Sequence, residues 1–412
     1  MMTLDKKKST WALLALAISA FAIGTTEFIS VGLLPLISDD LHISVTTAGL
    51  TVTVYALGVT VGAPVLTSLT SNVSRKSLLL WIMIIFIAGN TLAATASGIG
   101  MLLAARVLAA FAHGIFMSIG STIAADLVSE DRRASAISIM FSGLTVATVT
   151  GVPLGTYLGQ QWGWRVAFWA IVAVGVLALI SNLLLVPSSL RKGAKTPLSE
   201  QVKLVKNGRL LLMFAITALG YGGTFVVFTY LSPLLHEVTG YSEKVVAALL
   251  LLYGVAIAVG NVVGGKLANR NPLRALFYMF IVQAVILLVL SFTAPFKVAG
   301  LATVFFMGLL AFMNVPGLQV YVVVLAERYA PKAVDVASAV NIAAFNAGIA
   351  LGAYIGGIVT DHMGLVHTAW VGAIMVAAAV ILTGISRTAE RKAASPSGRS
   401  GSHSGSEGRQ PA

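Results

Sequence analysis

Between Trp11 and Arg387 the chain falls into twelve apolar runs, each long enough, at about 1.5 Å per residue, to cross a hydrocarbon layer roughly 30 Å thick as a helix. The runs are read as 11–35, 44–68, 77–96, 101–127, 134–158, 165–187, 209–235, 245–267, 273–293, 298–326, 333–359 and 366–386. Lipid offers no partner to an open strand edge, so all of them are expected to be helices. Only 10% of residues are charged, against roughly 25% in a typical soluble domain, and the mean hydropathy is +0.91. The expected class is an all-α membrane protein whose solvent is the lipid bilayer.

The basic residues give the orientation. With the N-terminus inside, 23 of the 27 Lys and Arg residues fall in cytoplasmic segments, including Lys6, Lys7, Lys8, Arg75, Lys76, Arg132, Arg133, Arg270 and Arg274. Arg165, Lys244 and Lys297 fall outside, and Arg106 lies within a span. This bias predicts a multi-pass protein with both termini cytoplasmic, and a bacterial-type plasma (inner) membrane is its expected location. It also accounts for the net charge of +12 without nucleic acid as a partner, because no basic stripe carries interleaved aromatics. The start KKKSTWALLALAISAFA has the form of a signal peptide, but its apolar run continues to Pro35, too long for an h-region, and it is read as the first helix. Absence of cysteine excludes disulfides, thiolate metal sites and a cysteine nucleophile.

The longest polar interruption divides the chain six plus six. Residues 1–187 are expected to form one six-helix bundle, 188–208 a cytoplasmic linker, 209–387 a second bundle and 388–412 a disordered Gly/Ser-rich tail. Within the linker, 198–205 has the pattern of a short amphipathic helix. An internal repeat supports the division: Tyr55 pairs with Tyr253, Gly62 with Gly260, Leu69 with Leu267 and Lys76 with Arg274, at a constant offset of 198 residues. Two parallel repeats about an axis normal to the membrane are implied.

Three ionisable residues sit deep in spans: Glu27 in the first, Arg106 and His113 in the fourth. A charge at the bilayer centre costs about 2.5–3.5 kcal/mol on insertion scales, so such groups usually face a cavity and act there. From helical rise, Glu27 lies about 6 Å outward of its span's midpoint, His113 about 1.5 Å and Arg106 about 12 Å. Arg106 and His113 share a helical face, and a glutamate facing that stripe would reach either. A carboxyl group whose protonation responds to wetting and to its distance from Arg106 suits proton coupling; the alternative is a static Glu27–Arg106 pair joining two helices. His113 reads as a titrating group or as a neutral hydrogen-bonding one, without partners for a metal.

A second cavity wall is expected from Tyr221, Phe225, Tyr230, Asn314, Gln319, Asn341, Phe345 and Asn346, whose amides and rings suit a small neutral or amphipathic substrate. Interhelical hydrogen bonding is the plainer use of each amide. The absence of a second deep acid argues against dicationic substrates. In the fifth span, Gly151, Gly155 and Gly159 share one face beside Pro153, and GNAGIALGAYIGG repeats the pattern in the eleventh; close packing accounts for both, and a sliding gate is the sharper reading. GNVVGGK (260–266) fits the start of a phosphate-binding loop, but Leu267 replaces its Ser/Thr and the stretch ends a membrane helix, so nucleotide binding is rejected. No catalytic constellation appears, and neither enzyme activity nor a cofactor is expected.

These residues resemble the major facilitator superfamily, in particular its twelve-helix drug/proton antiporter branch of sugar efflux permeases and chloramphenicol exporters. TTEFISVGLLP, RVLAAFAHG, and GVPLG followed by GWRVAFW carry the resemblance, which covers 11–387. It implies proton-driven export by alternating access, energised by the proton gradient, with Arg106 assisting coupling and Glu27 carrying the proton; a monomer is expected. A proton-linked importer and a non-transporting membrane sensor are the alternatives. The family's gate motif after the second span reads TSLTSNVSRK, keeping Arg75 and Lys76 but placing Ser71 at its acid, and the second half keeps Arg270 and Arg274 with Asn269 at the acid. A gate of polar contacts without a charge relay is therefore expected. Val152 stands between the glycine and proline of the usual antiporter motif.

Overall fold

The computed structural model describes residues 6–70, 73–129, 133–188, 190, 204, 206–268, 271–331 and 334–394. Its helices are α1 (Lys6–Leu41), α2 (Val45–Leu69), α3 (Arg75–Ala94), α4 (Ile99–Asp126), α5 (Arg133–Val146, a π-turn at Ala147–Gly151, then Val152–Trp162), α6 (Trp164–Leu185), α7 (Gly208–Phe228), α8 (Glu243–Ala268), α9 (Pro272–Thr293), α10 (Lys297–Ala311 and Val315–Tyr329), α11 (Val334–Met363) and α12 (His367–Ala394). Twelve stretches are long and apolar enough to cross a membrane, one for each expected span, and the described residues contain no strand.

Local chemistry sets several ends. Ser74, Asn207 and Asn271 cap α3, α7 and α9 by accepting hydrogen bonds from backbone N–H groups of the first turn. Gly163, at φ 88°, makes the one-residue corner between α5 and α6. The expected linker helix at 198–205, apart from Leu204, and the tail from Ser395 lie outside the described residues. α12 runs to Ala394, past the expected start of that tail, and there Glu390 accepts a hydrogen bond from the Tyr321 hydroxyl at 2.8 Å.

Three spans depart from the continuous helices expected. α10 breaks at Phe312–Asn314 because Pro316 has no N–H to offer the Phe312 carbonyl and its ring would clash with that carbonyl in a continuous helix. α7 ends at Phe228, and Leu234–Val238 form a π-turn beyond it. In α5 the π-turn directly precedes Val152 and Pro153, so the extra residue of the motif is taken up by a turn that closes over one residue more.

One apolar core gathers α1–α6 around Leu16, Phe86, Phe116 and Phe168; the other gathers α7–α12 around Phe225, Phe280, Tyr321 and Val376. Phe28, Val31, Val52, Ala56 and Val152 of the first half reach into the second core. The halves meet along α2–α11 and α5–α8. At the end away from the termini, Thr46 donates to the Gly357 carbonyl at 3.2 Å and Gln160 to the Glu243 carbonyl at 2.6 Å. Tyr230 belongs to this seal and not to a cavity wall: its hydroxyl donates to the Ala353 carbonyl at 3.1 Å, and a Cβ on Gly49 would meet its Cζ at 2.8 Å.

The glycines of α11 pack on α7 within the second half. A Cβ on Gly222 would lie 2.7 Å from the Gly348 carbonyl carbon, so no side chain fits between these backbones. Gly222→Val is expected to cost about 1–3 kcal/mol through overpacking, read as a lowered thermal midpoint of the purified protein. Gly100→Ala, in the first turn of α4 where an added Cβ meets nothing within 4 Å, should leave it unchanged or raise it.

Candidate functional site

Glu27, Arg106 and His113 are the only Asp, Glu, Lys, Arg or His side chains buried among the described residues. The structure brings them together around Tyr55 of α2, in an arrangement different from the static ion pair that stood as the alternative. Arg106 donates from Nη1 to the Thr26 carbonyl at 2.7 Å, from Nη2 to the Glu27 carbonyl at 3.2 Å and from Nε to the Thr51 carbonyl at 3.1 Å. Its Cζ lies 4.1 Å from the centre of the Tyr55 ring, a cation–π contact. The Tyr55 hydroxyl in turn lies 3.1 Å from His113 Nδ1.

Helix geometry explains why carbonyls, not the carboxylate, receive the guanidinium. α1 runs away from the terminal end, its carbonyls point along that direction, and Arg106 stands farther along it than Glu27. The fork therefore caps two successive carbonyls of α1 while reaching a third on α2, and α4 is tied to both. The static Glu27–Arg106 salt bridge does not form.

The Glu27 carboxylate is left without a hydrogen-bond or ion-pair partner, with the residue 9% exposed. Its oxygens are not among the side-chain atoms sealed away without partners, so they keep their residual access to open space. Tyr221 lies within electrostatic reach. Of the nearby polar residues on α1, Thr26 donates to Asn90 at 2.8 Å and Thr25 to its own helix, while the Ser30 hydroxyl is buried without a partner.

Beside Glu27, Phe28 enters an aromatic cluster. Its ring centre lies 6.2 Å from those of Phe225 and Phe228 and 6.0 Å from that of Phe312, and Tyr221 contacts Phe225, Phe312 and Phe345 at 5.0, 5.4 and 4.9 Å. The break in α10 is what places Phe312 here. At the same offset of 198 residues, Phe225 stands where Glu27 stands in the first half, and Thr224, the counterpart of Thr26, likewise bonds an amide, Gln283, on the third helix of its own half.

Three of the four expected amides are engaged between helices. Asn314 donates to Gln283 at 3.1 Å; Asn341 accepts from Thr217 at 2.8 Å and donates to Gln319 at 2.9 Å, which bonds Ser338. Asn346 uses its amide N–H on its own helix and leaves Oδ1 buried and unpartnered, as are Asn314 Oδ1 and the Tyr253 hydroxyl. Tyr221, Phe225 and Phe345 thus gather in the cluster beside Glu27, while Gln319 and Asn341 form a separate network. Tyr55, Phe28 and Phe312 were missed; only Tyr55 carried a signal, its pairing with Tyr253 in the repeat.

The expected gate residues bind within their own halves. Arg75 pairs with Asp126 at 2.6 Å and Lys76 donates to the Leu183 carbonyl at 2.8 Å, so a charged contact survives the loss of the motif's acid, supplied by α4. Gly151 and Gly155 pack on Thr25 and Ile29 of α1, which is close packing inside the first half. The contact between halves lies on the neighbouring π-turn, where a Cβ on Gly254 of α8 would lie 2.9 Å from the Thr148 carbonyl oxygen. Arg274 is exposed and faces a crevice of its own half, and Arg270 lies outside the described residues.

Residues 16–330 match the family model of the Major Facilitator Superfamily. The chain is 73% identical over 391 residues to the uncharacterized MFS-type transporter YtbD of Bacillus subtilis, covering 95% of this chain and 99% of that protein. It is 34% identical to a chloramphenicol resistance protein of Streptomyces lividans, over 89% of this chain and 94% of that one. Among solved structures it is similar in fold to a bacterial homologue of the human lysosomal transporter Spinster in an inward-facing, unoccupied conformation, with a TM-score of 0.70 and 17% identity, covering 95% of this chain and all of that one.

Proposed function

The chain belongs to the major facilitator superfamily, and from that premise we propose that it exports small neutral or amphipathic organic molecules, sugars or drugs, in exchange for protons by alternating access. The observation that carries this reading is the Glu27 carboxylate: buried, unpaired, with residual access to open space and beside an aromatic cluster contributed by both halves. A carboxyl group that keeps no fixed partner exchanges its proton according to which side wets it, which is what coupling to alternating access requires. The Streptomyces relative named for chloramphenicol resistance supports the export direction.

In this reading Tyr221, Phe225, Phe345 and Asn346 contact the substrate, with Asn346 Oδ1 as the acceptor for a substrate N–H or O–H. Arg106, Tyr55 and His113 hold α1, α2 and α4 in register around Glu27. The protein works as a monomer in the bacterial inner membrane with both termini cytoplasmic, as the bias of its basic residues favours.

Proteoliposomes test it, loaded with labelled chloramphenicol or labelled pentoses chosen by ligand-induced thermal shift. Vesicles with an acid interior should accumulate the substrate as protons leave. Accumulation instead in vesicles that protons enter would establish import by symport, and absence of both accumulation and counterflow would establish a sensor.

A further inference from the structure

Arg274 came from a gate motif, but the structure gives it other company. With Ala275, Met279, Leu310 and Met313 it lines a crevice of about 500 Å³ between α8, α9 and α10. The crevice opens away from the other half: α9 packs mainly on α12 and α10, and Leu267, Tyr278 and Val282 at its rim are about half exposed. In a membrane protein that surface faces lipid. At the end of the crevice where the chain termini lie, the Arg274 guanidinium is 6.0 Å from the Tyr278 ring centre, and that of Arg387 of α12 is 5.8 Å from the same ring centre and 4.5 Å from that of Phe277.

Neither arginine forms an ion pair among the described residues, although Glu390 stands one turn along from Arg387; that carboxylate is taken by Tyr321 and Arg328. Two cations without a carboxylate partner, at headgroup height above an apolar crevice, match one chemistry: a negative headgroup joined to an acyl chain.

We propose that this crevice is a binding site for an anionic phospholipid, with an acyl chain along Ala275, Met279, Leu310 and Met313 and the phosphate between Arg274 and Arg387. A juxtamembrane basic residue adds about fivefold to the affinity for anionic lipid, so the pair supplies roughly 25-fold in preference over a zwitterionic lipid of the same chains. The site lies on the lipid-facing side of the second half and does not depend on the direction of transport or on Glu27.

Native mass spectrometry of the purified protein, equilibrated with equimolar phosphatidylglycerol and phosphatidylcholine of matched chains, tests the proposal alongside thermal shifts with each lipid. The wild type should retain phosphatidylglycerol preferentially and be stabilised by it. Arg274→Gln/Arg387→Gln should lose the preference, and Lys297→Gln, which removes a cation at the other end of the bundle, should keep it. Ala275→Phe, which fills the crevice without touching charge, should lower retention of the lipid and keeps the test decisive if the double variant does not fold. Equal retention of both lipids by the wild type, an unchanged preference in Arg274→Gln/Arg387→Gln, or unchanged retention in Ala275→Phe overturns the site. The same thermal shift with inorganic phosphate alone would mark a free-anion site and overturn the lipid assignment.

Discussion

Glu27→Gln is expected to abolish gradient-driven accumulation while leaving substrate counterflow intact. Glutamine keeps the shape of the side chain and its hydrogen-bonding capacity but cannot release a proton. With coupling lost, a transporter can still alternate when loaded and so exchanges labelled for unlabelled substrate; it can no longer concentrate it. The thermal midpoint should hold or rise, because an unpaired buried carboxyl group contributes nothing to packing that an amide does not. The measurement is a pair of assays on one proteoliposome preparation, accumulation under an imposed pH gradient and counterflow without one. Accumulation retained with an unchanged pH dependence would remove Glu27 from the coupling step. Loss of both activities would make it a substrate contact, and the present assignment would again fail.

The twelve spans were legible because each is a statement about composition over many residues, and hydropathy averaged over a span survives any detail of packing. Two irregularities were also written in the chain. Pro316 marks the break in α10 because proline cannot bond the carbonyl four residues before it, and the inserted Val152 marks the π-turn of α5. The site itself was half legible. That Glu27, Arg106 and His113 would be buried followed from their depth, but how they would be partnered did not. Arg106 bonds backbone carbonyls, and every residue has one, so no pattern of side chains announces the contact. Asn341 and Gln319 carried both readings: their residue types suit a binding site, yet amides facing one another across helices satisfy each other first, and only the rotation of each helix decides between the two uses. The partners of the expected gate residues were hidden for a related reason. Arg75 lost the acid of its motif but found Asp126 on another helix, a partner distant in sequence.

Arg106 is where the two readings of the deep cluster separate most sharply. If it serves as a clamp, Arg106→Ala should be among the most destabilising single changes in the protein. It deletes three hydrogen bonds from a charged donor, each worth about 1.5–3 kcal/mol, and a cation–π contact of about 0.5–2 kcal/mol, and leaves a cavity between α1, α2 and α4. Two terms oppose this loss. The guanidinium no longer has to be buried, and the three carbonyls belong to helices whose own bonds they retain, so none is orphaned. The net loss is expected at about 3 kcal/mol, read as a fall in thermal midpoint larger than that of Gly222→Val. Arg106→Lys separates charge from shape: an ammonium keeps the positive charge near Glu27 but cannot reach carbonyls on two helices at once. As a clamp, Arg106 predicts that Arg106→Lys is destabilised while the pH dependence of its remaining transport is that of the wild type. A lysine variant with wild-type stability and a displaced pH profile would instead make the charge of Arg106, and not its fork of hydrogen bonds, the part that the Glu27 proton responds to.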